Sequence, residues 1–126
     1  MQTSKSANVL STTKPDGTRV QYHLFREFEI HYNQMPPGVI QPWHHHVRVE
    51  ESIYLLEGEL WFHWLSPAGR QSTLLQSGDV VAVEKDTHTL ETPEHAGAVF
   101  IVLRIVPTGV DHRELFRTDK VLDGVE

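Results

Sequence analysis

The chain has 126 residues, a formal net charge of −6, nine histidines and no cysteine. This length fits a single domain that can bury a hydrophobic core. Because cysteine is absent, disulfides and thiolate metal sites are excluded, and imidazole and carboxylate remain as metal ligands. Lysine and arginine are scattered rather than clustered, which argues against a nucleic-acid partner.

The N-terminal segment is polar and rich in serine and threonine. It lacks the apolar stretch of a signal peptide, and no later run is long enough to span a membrane, so we expect a cytoplasmic protein with no membrane partner. Residues 1–17 end in the turn sequence Pro15-Asp16-Gly17 and are predicted to form a flexible arm. Ordered structure is expected from Thr18, and residues 18–126 are predicted to form one domain.

The rest of the chain reads as a series of short strands. Residues 19–32 alternate in part and predict one long strand or two short ones, which could cover a sheet edge of this chain or of a second copy. Short apolar runs between Gly and Pro turns then predict strands at 39–46, 52–56, 60–65, 72–75, 80–83 and 98–106. This pattern is typical of an all-β sandwich or barrel. A helical turn is predicted only around residues 111–116.

Three consecutive histidines stand in the predicted strand 39–46. On an extended backbone, His44 and His46 project from one face about 7 Å apart, which suits two ligands of one metal. His45 then points to the opposite face. Alternation therefore selects two of the three histidines as candidate ligands.

A carboxylate ligand can come from Glu50 or Glu51, which begin the next apolar run. Glu51 shares its face with Ile53 and Leu55, whereas Glu50 alternates to the other side. The pattern favours Glu51 without excluding Glu50.

These residues together resemble a known family. The spacing from Gly38 through His44, His46 and Glu51 to Gly58 is similar to the first motif of the cupins, with every fixed position filled. The second cupin motif is matched more loosely. Gly78-Asp79 leads into the predicted strand 80–83, and a histidine, His88, follows. At the turn between them, Glu84 and Asp86 stand where the family has proline and glycine, and His88 comes one residue early.

The resemblance implies an all-β, cupin-like double-stranded β-helix, which is a jelly-roll barrel of two antiparallel sheets with six to eight strands. Its barrel would span about residues 35–107. The implied metal ligands are His44, His46, Glu51 and His88. They would hold one divalent transition metal, which could be Fe, Mn, Ni, Co, Cu or Zn. Homodimers are common in the family, and a homodimer is therefore expected.

The function implied by this resemblance is that of a metal-dependent enzyme acting on a small polar molecule. An oxygenase and an isomerase or lyase are equally compatible with the ligand set. The alternative is a non-catalytic cupin that binds a metal or a metabolite as a sensor or binding module. The residues that choose the substrate are not contiguous in such folds and cannot be read from a motif.

Further candidate site residues lie outside the two motifs. His63 could face the cavity or lie at its edge. Arg104 could point inward and hold a substrate carboxylate or phosphate, but an outward Arg104 paired with a surface acid is the favoured expectation. His23 and His31 are expected at an exposed edge, with a role as general base as the alternative.

Overall fold

The computed structural model describes residues 1–106 and 119–125, and within these ranges it contains strands and no helix. The predicted turn at 111–116 lies outside the described residues. The eleven strands are β1 Leu10–Thr13, β2 Arg19–Leu24, β3 Phe28–Met35, β4 His44–His46, β5 Glu50–Gly58, β6 Leu60–Ser66, β7 Gly69–Leu75, β8 Val80–Val83, β9 His88–Glu91, β10 Ala98–Ile105 and β11 Lys120–Leu122.

The strands form two antiparallel sheets, so the all-β prediction is confirmed. One sheet has the order β1-β2-β3-β10-β5-β8, and the other has the order β11-β4-β9-β6-β7. The strand count exceeds the expected six to eight because β1, β9 and β11 were not predicted. Each of these has only three or four residues, too few for alternation to stand out.

The N-terminal region adds three strands to one sheet. Residues 19–32 belong to a hairpin of β2 and β3, and β3 pairs with β10 of the same chain. β1 pairs with β2, so strand structure is present before Thr18, within the segment that the sequence predicts to be an arm. All four residues of β1 are exposed, so the sequence of this strand has no hydrophobic pattern from which it could be predicted.

The predicted strand at 39–46 is shorter than expected. Only His44–His46 is a strand, and Ile40 makes an isolated bridge to Glu91. Pro42 lies between these two points, and proline has no N–H to donate to a ladder. The histidine strand therefore begins just after Pro42.

A hydrophobic core fills the space between the sheets. Its buried members come from both sheets: Met35, Ile53, Leu55, Leu60, Phe62, Leu75, Leu90, Ala98, Phe100 and Val102. The ring of Phe62 lies 5.5 Å from the ring of His88, measured between centroids. The core therefore packs directly against one of the candidate metal ligands and limits its movement.

Gly58, at the end of β5, has a backbone conformation that suits only glycine. Its φ is +83°, and a Cβ there would collide with the carbonyl oxygen of Gly97. We expect Gly58→Ala to lower the free energy of unfolding by about 2 kcal/mol or more, from strain and collision together. Urea denaturation would measure the loss. Gly69→Ala is the control, because Gly69 also has positive φ but meets no atom within 4 Å. Equal losses in the two variants would contradict the collision.

Candidate metal centre

Four side chains from three strands converge in the described part of the chain. His44, His46, Glu51 and His88 each offer a donor atom, and these atoms lie within 4.8 Å of one another. His44 and His88 stand directly opposite in the β4–β9 pair, with ring centroids 4.4 Å apart. All three imidazoles are buried. The structure thus brings together the four residues that the sequence motifs single out.

The neighbours of these residues point elsewhere. His45 lies on the opposite face, where its Nδ1 is 2.8 Å from Oδ2 of Asp123. Glu50 is exposed, whereas the side chain of Glu51 is only 9% exposed. The structure therefore agrees with alternation, both on the direction of His45 and on the choice between Glu50 and Glu51 that the sequence left open.

His88 reaches the cluster despite the shortened turn before it. β8 belongs to the six-stranded sheet and β9 to the five-stranded sheet, so residues 84–87 carry the chain from one sheet to the other. The alternation of β8 does not continue through this crossing. The missing residue therefore does not turn His88 outward, because the alternation of β9 is set by its pairing with His44.

Two of the imidazoles are anchored in the same way. Nδ1 of His44 donates to the carbonyl of Pro42 at 2.9 Å, and Nδ1 of His88 donates to the carbonyl of Asp86 at 2.9 Å. A carbonyl only accepts, so Nδ1 carries the proton and Nε2 of each neutral ring keeps its lone pair. Metal-binding histidines in proteins are usually fixed by such a bond from the other ring nitrogen.

His46 is buried without an evident partner. Its Nε2 lies 3.0 Å from Oε1 of Glu51, but neither of its ring nitrogens has a hydrogen bond of good geometry among the described residues. A buried polar group left unsatisfied costs about 1–3 kcal/mol. An ion bound between these residues would satisfy this imidazole, so the donor set fits a metal.

The protonation states of the cluster suit metal binding. Burial lowers the pKa of His44 to about 3, with a further contribution from the charge of Lys120. Burial also lowers the pKa of His88. Burial by itself would raise the pKa of Glu51, but the contact with His46 and the charge of Arg104 bring it to about 2. At neutral pH, His44 and His88 are neutral and Glu51 is ionised, as metal ligation requires.

Arg104 points inward, so the expectation of an outward arginine is wrong. It lies on β10 directly between Glu29 of β3 and Glu51 of β5. Its Nε is 2.9 Å from Oε2 of Glu51, and its Nη1 is 3.4 Å from Oε1 of Glu29. Arg104 shares the buried face of β10 with Phe100 and Val102. It therefore orients Glu51 from behind.

A further residue, Asp119, organises the loop between His46 and Glu51. Its carboxylate accepts hydrogen bonds from three consecutive backbone N–H groups at 2.8–3.0 Å, those of Val47, Arg48 and Val49. Sequence reasoning missed Asp119, because about seventy residues separate it from its partners and it matches no motif. Its hydrogen bonds hold the conformation of the loop that joins the two candidate ligands.

The role of Asp119 can be tested by pH. Burial alone would raise the pKa of its carboxyl, but the three N–H bonds lower it below 3.8. Its stabilising contribution is therefore complete above pH 3.8 and is lost as pH falls through the lowered pKa. We expect Asp119→Asn to cost about 1–3 kcal/mol of unfolding free energy at pH 7 and clearly less at pH 3. Urea denaturation at both values measures this, and an equal cost at both would refute the assignment.

His63 does not line the cavity beside the cluster. It lies on the other face of β6, where Nδ1 is 2.6 Å from Oγ of Ser72 and Nε2 is 2.8 Å from Oε1 of Glu91. Its ring stacks on Trp61 with centroids 5.9 Å apart. Leu60, Phe62 and Trp64 face the core, so His63 belongs to the outer face of the strand, away from the clustered histidines.

A cavity of about 220 Å³ opens beside the cluster. This is below the roughly 300–1,000 Å³ of pockets that hold drug-sized ligands, so it suits a small molecule. His31 of β3 lies in the wall of this cavity, contrary to the expectation that it lies at an exposed edge. Its lining combines the four clustered side chains with apolar core residues and seven further polar residues. These are Lys14, Tyr22, His31, Asn33, Gln41, Arg104 and Lys120.

No protein-family model and no curated protein matches the chain. Among solved structures, it is similar to a variant of oxalate decarboxylase from Bacillus subtilis, with a TM-score of 0.74 and 13% identity over 94% of this chain and 31% of that one. It is also similar to oxalate decarboxylase from Lactobacillus farciminis in a formate complex, with a TM-score of 0.73 and 13% identity over 97% and 37%. It is similar as well to the polyketide cyclase RemF from Streptomyces resistomycificus, with a TM-score of 0.69 and 16% identity over 88% of this chain and 84% of that one.

The chain thus spans about a third of either oxalate decarboxylase but most of RemF. At these identities, the similarity concerns the fold and not the activity. Within the described residues, no helix has the length and apolar character needed to cross a membrane. Two antiparallel sheets, the four convergent side chains and these structural neighbours give one conclusion: the chain has the cupin fold.

Proposed function

We propose that this chain is a metal-dependent enzyme in which His44, His46, Glu51 and His88 hold one divalent transition metal. The observation that carries the proposal is the anchoring of two imidazoles through Nδ1, which leaves Nε2 available within a cluster whose donor atoms lie within 4.8 Å of one another. The structural neighbours named as a decarboxylase and a cyclase support an enzyme on this fold.

The ligand set narrows the choice of metal. Three neutral imidazoles and one carboxylate carry a net charge of −1 and suit Mn, Fe, Co, Ni, Cu or Zn better than Ca or Mg. When bound, such an ion supplies a Lewis acid that polarises an oxygen of the substrate. Arg104 and the loop held by Asp119 keep Glu51 in place for this role.

The cavity also offers a group for proton transfer. His31 lies in its wall, and Nε2 of this ring is 2.9 Å from Oε1 of the buried Glu29. Its Nδ1 has no hydrogen-bond partner among the described residues. The rings of Tyr22 and His31 are nearly perpendicular, with centroids 4.7 Å apart. A histidine oriented by a carboxylate can act as a general acid or base. We therefore favour acid–base chemistry of the isomerase or lyase type, with His31 moving a proton at Nδ1.

Substrate turnover in D₂O tests this choice. The metal-loaded chain would be incubated with a panel of small keto acids, hydroxy acids, diols and thiols, with ¹H NMR for solvent deuterium exchange and an electrode for oxygen uptake. We expect exchange next to a carbonyl without oxygen consumption. His31→Gln should slow it about a hundredfold without changing metal content. His23→Gln is the matched control, because His23 contacts Ser4 outside the cavity.

Other outcomes would favour the rival functions. Oxygen uptake in step with product formation would indicate an oxygenase and contradict the acid–base assignment. A metal-loaded protein that binds a member of the panel but converts none would favour the binding or sensor module.

A further inference from the structure

Two lysines from outside the motif region line the cavity beside the cluster. Lys14 follows β1, and Lys120 opens β11, directly opposite His46 in the β11–β4 pair. The backbone around Lys14 is fixed, since its N–H donates to Thr18 O at 2.8 Å and its carbonyl accepts from Gly17 N–H at 2.9 Å. The N-terminal and C-terminal parts of the described chain therefore each bring one ammonium group to the same cavity.

Neither lysine is accounted for by a structural ion pair. Within residues 1–106 and 119–125, no carboxylate lies within 4.0 Å of either ammonium. Glu51 is the acidic side chain among the cavity-lining residues, and it already contacts His46 and Arg104. Among the residues that the structure describes, the two ammonium groups are therefore not committed to an ion pair.

The sign of the charge in the cavity is opposite to that of the whole chain. The net charge of the protein is −6, yet Lys14 and Lys120 line this space, and its one lining carboxylate, Glu51, is paired with Arg104. Lys14 and Lys120 line the same cavity. Burial lowers the pKa of Lys120, and the charge of Lys14 lowers it further. A cavity with low-dielectric walls and charges of one sign concentrates ligands of the opposite sign.

We propose that Lys14 and Lys120 form an anion subsite and that the cavity binds a small carboxylate, with a second oxygen of that molecule directed to the metal-ligand cluster. The inference rests on the proposed function for the second contact only. Arg104 is engaged by Glu29 and Glu51, so the carboxylate is held by ammonium groups rather than by a bidentate guanidinium. The cavity volume of about 220 Å³ restricts the ligand to a few carbon atoms.

Calorimetric titration of the metal-loaded full-length chain with malonate tests the subsite, with malonamide as the uncharged analogue and phosphate as a second anion. We expect malonate to bind and malonamide to bind at least tenfold more weakly. Lys14→Gln and Lys120→Gln should each weaken malonate binding about tenfold. Lys14→Arg should restore most of the affinity because it keeps the charge. Lys5→Gln is the control, since Lys5 is exposed and does not line the cavity.

Metal content and melting temperature of every variant separate this inference from the proposed function. Unchanged metal content with lysine-dependent malonate binding supports the subsite. Equal malonate affinity in wild type, Lys14→Gln and Lys120→Gln overturns it, as does equal binding of malonate and malonamide. Stronger binding of phosphate than of malonate overturns the carboxylate assignment. If no metal binds but malonate binding still depends on both lysines, the proposed function fails and the subsite stands.

Discussion

Arg104→Met is expected to lower the free energy of unfolding by about 3–5 kcal/mol, measured by urea denaturation in EDTA. The substitution removes the positive charge between Glu29 and Glu51 and leaves two buried carboxylates without it. Breaking a buried ion pair by removing one partner has this order of cost, because the remaining charge is uncompensated. EDTA is included so that loss of a bound metal does not add to the difference.

Two further variants make the Arg104 prediction specific. Arg19→Met removes an exposed arginine from β2 and should change stability by no more than about 0.5 kcal/mol. Adding Glu29→Gln to Arg104→Met should recover part of the loss, since it removes one of the two unpaired charges. A loss below about 1 kcal/mol for Arg104→Met alone would mean that the buried row of three charges does not hold the sheet together.

His44→Ala is expected to weaken metal binding by more than about a hundredfold, whereas His45→Ala should leave it nearly unchanged. Loss of a residue that only supports a ligand already weakens metal affinity by about 10–100-fold, and loss of a ligand should exceed this. The adjacent histidines have the same chemistry but face opposite sides of β4, since His45 contacts Asp123. Calorimetric titration with Co²⁺ measures both affinities.

The comparison of the two histidine variants also distinguishes a specific site from non-specific binding of metal to a histidine-rich protein. Equal weakening in both variants would indicate such binding and would contradict the four-residue site. Melting temperatures of both variants in EDTA show whether either substitution disturbs the fold.

Local patterns predicted much of the site. Alternation along β4 separates His44 and His46 from His45, and alternation along β5 separates Glu51 from Glu50. These choices need only the period of a strand, which is a property of consecutive residues. The all-β class followed in the same way from short apolar runs and turn residues.

Contacts between distant parts of the chain account for what sequence reasoning missed. Arg104 was expected outside because its neighbours on β3 and β5, Glu29 and Glu51, become known only from the strand pairing. Its inward direction could have been read from the alternation with Phe100 and Val102. Asp119 gave no local signal, because its three partners lie about seventy residues earlier. Nor did Lys14, which reaches the cavity through the pairing of β1 with β2.

Elemental analysis of protein purified without a metal-affinity tag shows whether the four clustered side chains bind a metal. We expect about one divalent transition metal per chain in the native protein, or after reconstitution, and none in a variant that combines His44→Ala with His88→Ala. Absence of stoichiometric metal from both native and reconstituted wild-type protein would mean that these four side chains do not form a metal site.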